Sequence, residues 1–445
     1  MAWACAGGGV LKVFMLDTHV HTCLSPCGDL DMHPSGLVAA ARAARLDAVG
    51  VCDHNSARNV AATMRAGARA GLTVVPGMEI ASEEEVHVLA FLPDVEAAER
   101  LQQRVYDVLP GKNDAAAFGE QVVADEHGEV VALDDRLLIG ATQWSVDEVV
   151  RAIHEVDGLA IAAHVDRERF GLLGQLGFVP PGLALDAIEV SRRTTMPEAR
   201  ARFGALGFPI VTASDAHEPK DIGAAVTLML LERIDHDEVR RALEGRNGRA
   251  VLGGGRPMDD LALHVLDIAQ NALDAGATRV EIELVEDLDR DLLTIEVRDN
   301  GRGMPSDVVA KASDPFYTTR TTRKVGMGLS LLGEAARAAG GGLTIESAPG
   351  EGTRVRVRFQ HAHVDRAPVG DLEGTLMALM AGRPDVDVRF RHLLDDREFS
   401  VSSREIALEL HGRSVQSPEG LTLLRQTIRR GEASLAARPM TAKRE

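Results

Sequence analysis

Histidines and acids recur along this chain in short clusters at wide intervals: His19 and His21, Asp29, Asp53 with His54, Glu79, His87, His164, and Asp215 with His217. Imidazole nitrogen and carboxylate oxygen together suit Zn, Mn or Fe, and an open coordination position on such an ion can lower the pKa of bound water enough to make hydroxide. Two or more ions can clamp both the attacking and the leaving oxygen of a phosphoryl group, which makes phosphoester hydrolysis the natural task. A lone His-x-His would be weak evidence. Six His and three acids in regular recurrence carry the reading, and His33, His127, His154, His236 and His264 fall outside it. Arg167, Arg169, Arg192, Arg193 and Lys220 follow the later clusters and could hold nonreacting phosphate oxygens, although ordinary surface pairing is at least as common for any one of them.

The elements that position these groups alternate between short apolar runs and amphipathic helical stretches, which is βα repetition. Strands are expected at 13–16, 48–51, 73–75, 86–91, 159–163, 187–190 and 210–212, with helices at 34–44, 145–155 and 198–205 among them. Seven strands favour a closed or nearly closed barrel, and in a parallel barrel the loops that follow the strands converge on one rim. His19 and His21 follow the first strand, Asp53-His54 the second, Glu79 the third, His164 the fifth, and Asp215 and His217 the last. His87 opens the fourth. Residues 94–142 read as an insertion with a hairpin at 121–123/129–132, and 1–12 as a flexible leader, with Met15 an alternative start. The barrel domain spans 13–252, and Gly253-Gly254-Gly255 followed by Pro257 marks a glycine-rich stop.

A second pattern follows at 258–361. Asp267 and Asn271 stand at i and i+4 on one face of a helix over 259–274, where a carboxylate could sit beside an attacking water and the amide oxygen bind Mg²⁺. Asp299-Asn-Gly301-Arg-Gly303 follows a strand; its glycines permit close backbone approach, and its carboxylate can accept from an exocyclic amine such as that of adenine. Asp314-Pro-Phe-Tyr-Thr-Thr then leads to Gly326-Met-Gly328 at a helix start, an amide-rich phosphate site. Gly350-Glu-Gly352-Thr353 precedes the last strand. Residues 362–445 read as an accessory region.

In the order His-x-His, Asp-His, Gly-x-Glu, His-x-Leu, Ala-His and Ser-Asp-x-His, residues 17–223 resemble the PHP (polymerase and histidinol phosphatase) superfamily of metal-dependent phosphoesterases. The resemblance implies an α/β fold, a distorted (β/α)7 barrel, with three divalent ions (Zn, Mn or Fe). One ion would take His19, His21, Glu79 and Asp215; a second would share Glu79 with His87 and His164; the third would use Asp29, His54 and His217. Glu79 would then bridge, and a metal-bound hydroxide would be the nucleophile. The loop Cys23–Gly28 departs from the expected Ser-x-Asp-Gly spacing before Asp29, so Cys23 or Cys27 stands as an alternative donor, although thiolates are unusual in oxygen-rich hydrolytic sites. Residues 259–360 resemble the GHKL ATPases, which include gyrase, chaperone, histidine-kinase and mismatch-repair ATPases. That implies a Bergerat-type α/β sandwich binding ATP with Mg: Asn271 on Mg²⁺, Asp299 on adenine, Gly301 and Gly303 beneath the base, Gly326 and Gly328 under phosphates, and Thr353 near Asp299. Residues 305–325 would form a lid whose Arg320, Arg323 and Lys324 reach the γ-phosphate. Asp267 occupies the place where hydrolysing relatives carry a Glu. The run Asp314 to Arg320 has a histidine-kinase flavour, yet the barrel lies where a kinase's phosphoacceptor hairpin would precede the domain.

Composition bounds the rest. Across 445 residues, 45% hydrophobic and 26% charged content argues for folded domains rather than disorder. No apolar run is long enough to span a membrane or to serve as a secretory signal, so the cytoplasm is expected. All 4 cysteines fall in the first 52 residues, no framework for disulfides in a chain this long. A net charge of −18 disfavours broad nucleic-acid binding but not a phosphorylated substrate held by cations. The expected function is hydrolysis of a phosphorylated small molecule or nucleotide, regulated by ATP, with a protein partner or homodimer as the candidate assembly. A signalling protein whose kinase-like domain phosphorylates or sequesters a partner is the alternative, and DNA repair a third.

Overall fold

Runs such as Ala-Val-Gly-Val and Leu-Ala-Ile-Ala carry no polar face, so the strands they form must be covered on both sides. In the computed structural model, which describes residues 10–255, 260–309 and 327–436, they lie inside the first of two units, Met1–Pro257 and Met258–Glu445. The first unit contains β1 (Lys12–Val20), β2 (Ala48–Val51), β3 (Thr73–Ala81), β4 (His87–Phe91), β5 (Val122–Ala124), β6 (Val130–Leu133), β7 (Leu159–Ala162), β8 (Ala187–Ser191), β9 (Ile210–Ala213), β10 (Val226–Leu231) and β11 (Ala250–Gly255). Nine of them form one sheet in the order β11-β10-β1-β2-β3-β4-β7-β8-β9. All seven expected strands are present, and the barrel-like α/β fold is borne out. Leu16, Leu89, Phe91, Ile161 and Met229 share its core.

Two expectations are corrected. The sheet is not wholly parallel: β4 runs antiparallel to both β3 and β7. Only a short turn, closed by Ser82 N donating to Val86 O, separates β3 from β4, and a turn that short can join only antiparallel strands. The glycine run is also strand rather than linker, although the chain does divide directly after it, between Pro257 and Met258. Gly253, Gly254 and Gly255 lie in β11, paired with Leu228, Thr227 and Val226 of β10. A Cβ on Gly254 would meet Val226 O at 2.2 Å and Thr212 Cγ2 at 2.8 Å, so glycine is there for close approach. The same region nearly closes the sheet: Thr227 Oγ1 accepts from Thr212 N and donates to Thr212 O, and His21 N donates to Ala216 O. The fully buried Asp17 carboxylate accepts from Ser214 N and Gly223 N, pinning β1 to the segment after β9.

The second unit holds β12 (Arg279–Asp287), β13 (Leu292–Asp299), β14 (Gly342–Ala348), β15 (Gly352–Gln360), β16 (Asp387–Leu394) and β17 (Arg397–Ser402), in the order β14-β15-β13-β12-β16-β17. Here burial alternates along the strands. Ile282, Leu284, Ile295, Val357 and Phe390 are buried, and the helices Leu261–Asp274, Met327–Ala338 and Leu372–Gly382 pack on the sheet. Arg354 and Arg356, with Glu296 between them, pair on the other face. Residues beyond 361, expected as an accessory region, supply β16 and β17 to this same sheet, β16 pairing in parallel with β12.

Candidate metal centre

His19 and His21 lie two residues apart, so the extended chain at the end of β1 turns both imidazoles to the same side. Asp53 and His54 follow β2, Glu79 lies near the end of β3, and His164 and Asp215 follow β7 and β9. The reversal of β4 explains His87: the first residue of an antiparallel strand emerges on the rim where parallel neighbours end, opposite Ala81 in register. His164 (φ 29°) and Asp215 (φ 52°) both adopt the left-handed region, strain of the kind that persists where surrounding structure fixes a functional side chain.

These elements surround one carboxylate with five imidazoles. Oxygens of Glu79 stand 2.8 Å from His87 Nδ1, 2.9 Å from His54 Nδ1, 3.3 Å from His164 Nε2, 3.4 Å from His21 Nε2 and 3.5 Å from His19 Nε2. Asp215 Oδ1 lies 3.4 Å from His19 Nε2 and 3.1 Å from His21 Nε2, which are themselves 3.1 Å apart. Two atoms each about 2.0–2.2 Å from a shared ion, at ordinary coordination angles, stand about 3.0–3.5 Å apart. The groups His19/His21/Asp215, His54/Glu79/His87 and His21/His54/His217 each bring their ligand atoms within 4.8 Å of one another. Glu79 Oε2 is buried without a directed hydrogen bond, as expected of a donor shaped for cations. The residues present therefore fit divalent metal.

The electrostatics agree. Burial pushes the Glu79 carboxyl up, but His87, His19 and His54 outweigh it and hold the group well below its usual range. Burial, reinforced by His217 and His54, holds His21 well below its usual value, and burial also lowers His87, which favours in both the uncharged ring that can offer a lone pair. Burial pulls His19 down, yet Glu189, Asp215 and Glu79 favour its charged form, so this corner of the pocket prefers positive charge.

Several groups around the centre went unassigned by sequence spacing. Glu189, fully buried on β8, faces His19 Nδ1 at 3.1 Å and leaves Nε2 to the centre. His21 Nδ1 lies 3.0 Å from Ser25 Oγ, which donates to Asp53 at 2.8 Å. Asp53 also accepts from Thr22 N and Oγ1, both at 2.7 Å. The available signal was a lone carboxylate inside the buried run Ala-Ile-Glu-Val-Ser. Arg167 donates to Asp215 Oδ2 at 2.7 Å, whereas Arg192 pairs with Asp221 and Lys220 with Glu218. Asp29 is exposed and stands outside the three groupings. Its Oδ1 accepts from Asp31 N at 2.7 Å, capping the turn Leu30–Met32. Cys23 is buried, with its thiol directed to Val122 O, and burial pushes it up to about 12.

In the second unit, β13 ends at Asp299, whose Oδ1 accepts from Gly301 N at 2.7 Å, and burial raises this carboxyl. Thr353 is its partner across β15. A Cβ on Gly303 (φ 64°) would meet Ala348 O at 1.9 Å, and one on Gly352 (φ 83°) would meet Asp299 O at 2.0 Å, so only glycine fits this cradle. Arg302 N donates to Ala275 O, joining the loop to the end of the helix that carries Asp267 and Asn271, both half-buried. Gly328 falls in the first turn of Met327–Ala338. Asp314 to Arg320, Arg323, Lys324 and Gly326 lie outside the described residues.

Residues 258–363 match the family of histidine kinase-, DNA gyrase B- and HSP90-like ATPases, and residues 197–247 match a PHP-associated family. Among curated relatives, a C4-dicarboxylate transport sensor protein of Pseudomonas aeruginosa is 36% identical over 97 residues, 21% of this chain and 16% of its own. A DNA mismatch repair protein MutL of Xanthomonas oryzae is 30% identical over 180 residues, 32% of this chain and 28% of its own. The chain thus spans under a third of the length of either. Among solved structures, a lesion-specific endonuclease of Pyrococcus furiosus aligns over 56% of this chain and 60% of its own at 17% identity and a TM-score of 0.44. A protein assigned as a metal-dependent phosphoesterase of Bifidobacterium adolescentis aligns over 52% and 96% at 23% identity and a TM-score of 0.34.

Proposed function

We propose that this chain, with its histidine kinase- and gyrase-like ATPase domain at residues 258–363, is a metal-dependent phosphoesterase that hydrolyses a phosphomonoester, a small phosphometabolite or nucleotide, under the control of bound ATP. The observation that carries the reading is Glu79 ringed by five histidine nitrogens at 2.8–3.5 Å, more donors than one carboxylate can serve by hydrogen bonding. His19, His21, Glu79 and Asp215 would hold one divalent ion, Glu79, His87 and His164 a second, and His54 and His217 a third. Ions bound there polarise a phosphoryl oxygen and lower the pKa of water.

The chain's own groups do the rest. Glu189 and the Ser25–Asp53 pair orient His19 and His21. Arg167 keeps one arm on Asp215 and has further N–H donors for phosphate oxygens. Phe170, stacked on His87 with ring centroids 4.7 Å apart, keeps water from one side of that imidazole. In the second unit Asp299 would accept from the adenine amine over Gly301 and Gly303, with Thr353 beside it. Asn271 would hold Mg²⁺, Asp267 would act as base, and Lys324, Gly326 and Gly328 would meet the phosphates.

A panel of phosphomonoesters tested on Mn²⁺- and Zn²⁺-loaded protein, with and without ATP, decides the matter. Turnover that Glu79→Ala reduces to background is expected; no metal bound and no substrate turned over would overturn the reading. The likeness of residues 258–363 to sensor proteins supports a second reading, in which this domain phosphorylates or sequesters a partner. Transfer of labelled γ-phosphate to a copurified protein, abolished by Asp299→Ala, would favour it.

A further inference from the structure

We propose that Phe170 is a stacking platform for the organic part of the phosphoester, so that this centre takes substrates with a flat aromatic group, of the nucleobase or aryl kind. The proposal rests on the phosphoesterase reading above and names its substrate class. It begins with the run His164-Val-Asp-Arg-Glu-Arg-Phe-Gly that follows β7. A Cβ on Gly171 would meet Arg167 O at 2.6 Å and His164 O at 2.8 Å, so glycine is what lets the chain coil back on itself. The residue before it, Phe170, adopts φ 63°, in the left-handed region that a bulky side chain rarely enters. Its carbonyl accepts from His87 N at 2.9 Å, which fixes the strained residue to the start of β4. Strain of this kind persists where the surrounding structure imposes it, and it clusters at ligand clamps.

The ring itself points to a ligand. It lies flat on the His87 imidazole, the planes 17° apart, yet it is 41% exposed. With one face against the imidazole, that exposure belongs to the opposite face and the edge. An aliphatic side chain would seal His87 from water equally well; what a phenyl ring adds is a flat π surface on which a second ring can stack.

Phe170 also stands where solvent reaches the centre. The side chains of His19, His21, Glu79 and His164 are sealed, whereas His87 keeps 10% and His217 27% of its side chain exposed. Arg167, three residues earlier in the same coil, donates to Asp215 Oδ2 at 2.7 Å and is itself partly exposed. One coil thus sets a cation at Asp215 and a bare aromatic face at His87. A phosphoester held by its phosphate beside Arg167 and extending past His87 brings its organic group onto Phe170. Every base has a π face, so stacking selects the class rather than one base.

Kinetics of the full chain loaded with Mn²⁺, on uridine 5′-monophosphate, phenyl phosphate and glycerol 3-phosphate, test this. Uracil has no exocyclic amine for Asp299 to accept from, which keeps the second unit out of the comparison. Both aromatic esters should exceed glycerol 3-phosphate in kcat/KM by about tenfold or more, mainly through KM. Phe170→Ala should collapse that ratio and Phe170→Trp should retain it, a pattern that a merely sealing side chain would not give. Calorimetry with uridine and glycerol phosphonates repeats the comparison without turnover. A larger KM advantage for the uridine ester assigns a nucleobase to the platform, and one for the phenyl ester a simple aryl group. Equal KM for all three esters in wild type, or a preference that survives in Phe170→Ala, overturns the platform and leaves the phosphoesterase standing. No ester turned over and no phosphonate bound overturns both.

Discussion

Glu189 shows how a single side chain can matter to the centre without entering it. Its carboxylate faces His19 Nδ1 across 170 positions of sequence, fully buried, and directs the other nitrogen inward. Glu189→Gln preserves the shape but replaces the charge, so metal affinity should fall about 10–100-fold in a chelator competition, with ATP binding untouched. An unchanged affinity would show that the contact does not tune His19. In the second unit, Gly303→Ala must place a methyl 1.9 Å from Ala348 O at φ 64°, which should cost about 1–3 kcal/mol in denaturant unfolding and abolish nucleotide binding. Most candidate ligands were legible in sequence because strand ends repeat at spacings a reader can follow. Glu189 and Ser25 were not, since each acts through another residue's ring. Asp29 came with the family resemblance, and the cap it makes depends on a turn that spacing does not reveal.

Elements were legible where burial leaves a continuous apolar run, as in β2 and β7, and illegible where pairing decides. The direction of β4 depends on one short turn, and the glycines of β11 resemble a linker until they are placed against β10. In the second unit, the parallel pairing of β12 with β16 joins residues more than 100 apart, and a half-buried charge network centred on the buried His392 crosses it. Glu286 on β12 stands 3.0 Å from His392 on β16 and 2.6 Å from His361, and His392 also meets Glu432 at 3.0 Å. Hydrogen bonding from His392 and then His361 overcomes burial and holds Glu286 at about 2. Burial opposes charge on His392, but Glu286 and Glu432 raise it to about 9. A histidine whose folded value exceeds its unfolded value of 6.5 adds stability that is whole below 6.5 and is lost as pH rises through about 9. The depressed Glu286 adds stability above 4.5 that is lost as pH falls toward 2. Urea unfolding of the second unit should therefore show a maximum between these limits and a loss of about 1–2 kcal/mol from pH 6.5 to 9, after allowing for solvent screening. The alkaline loss should be absent in His392→Gln; a profile identical to wild type would remove the network as its cause.

At the scale of the whole chain, two compact units imply two unfolding transitions, and on the proposed function each would respond to its own ligand. Metal at about 100 times its Kd should stabilise the first unit by about 2.7 kcal/mol, roughly 5–10 °C, and a chelator should reverse that shift alone. ATP with Mg²⁺ should move the other transition, and Asp299→Ala should abolish that response without disturbing the metal-dependent one. Regulation asks for more than coexistence, because sites that share a polypeptide are coupled only if occupying one changes the free energy of binding at the other. Linkage then makes the effect reciprocal: if ATP tightens a phosphorylated substrate analogue by some factor, the analogue must tighten ATP by the same factor. Titrating each ligand in the presence and absence of the other, by calorimetry on the metal-loaded chain, measures that factor twice. A coupling of 1–3 kcal/mol, about 5–150-fold, is the range typical of allosteric proteins. Equal factors above one, lost in Asp299→Ala, would establish control of hydrolysis by nucleotide; a factor of one in both directions would leave two independent activities in one chain.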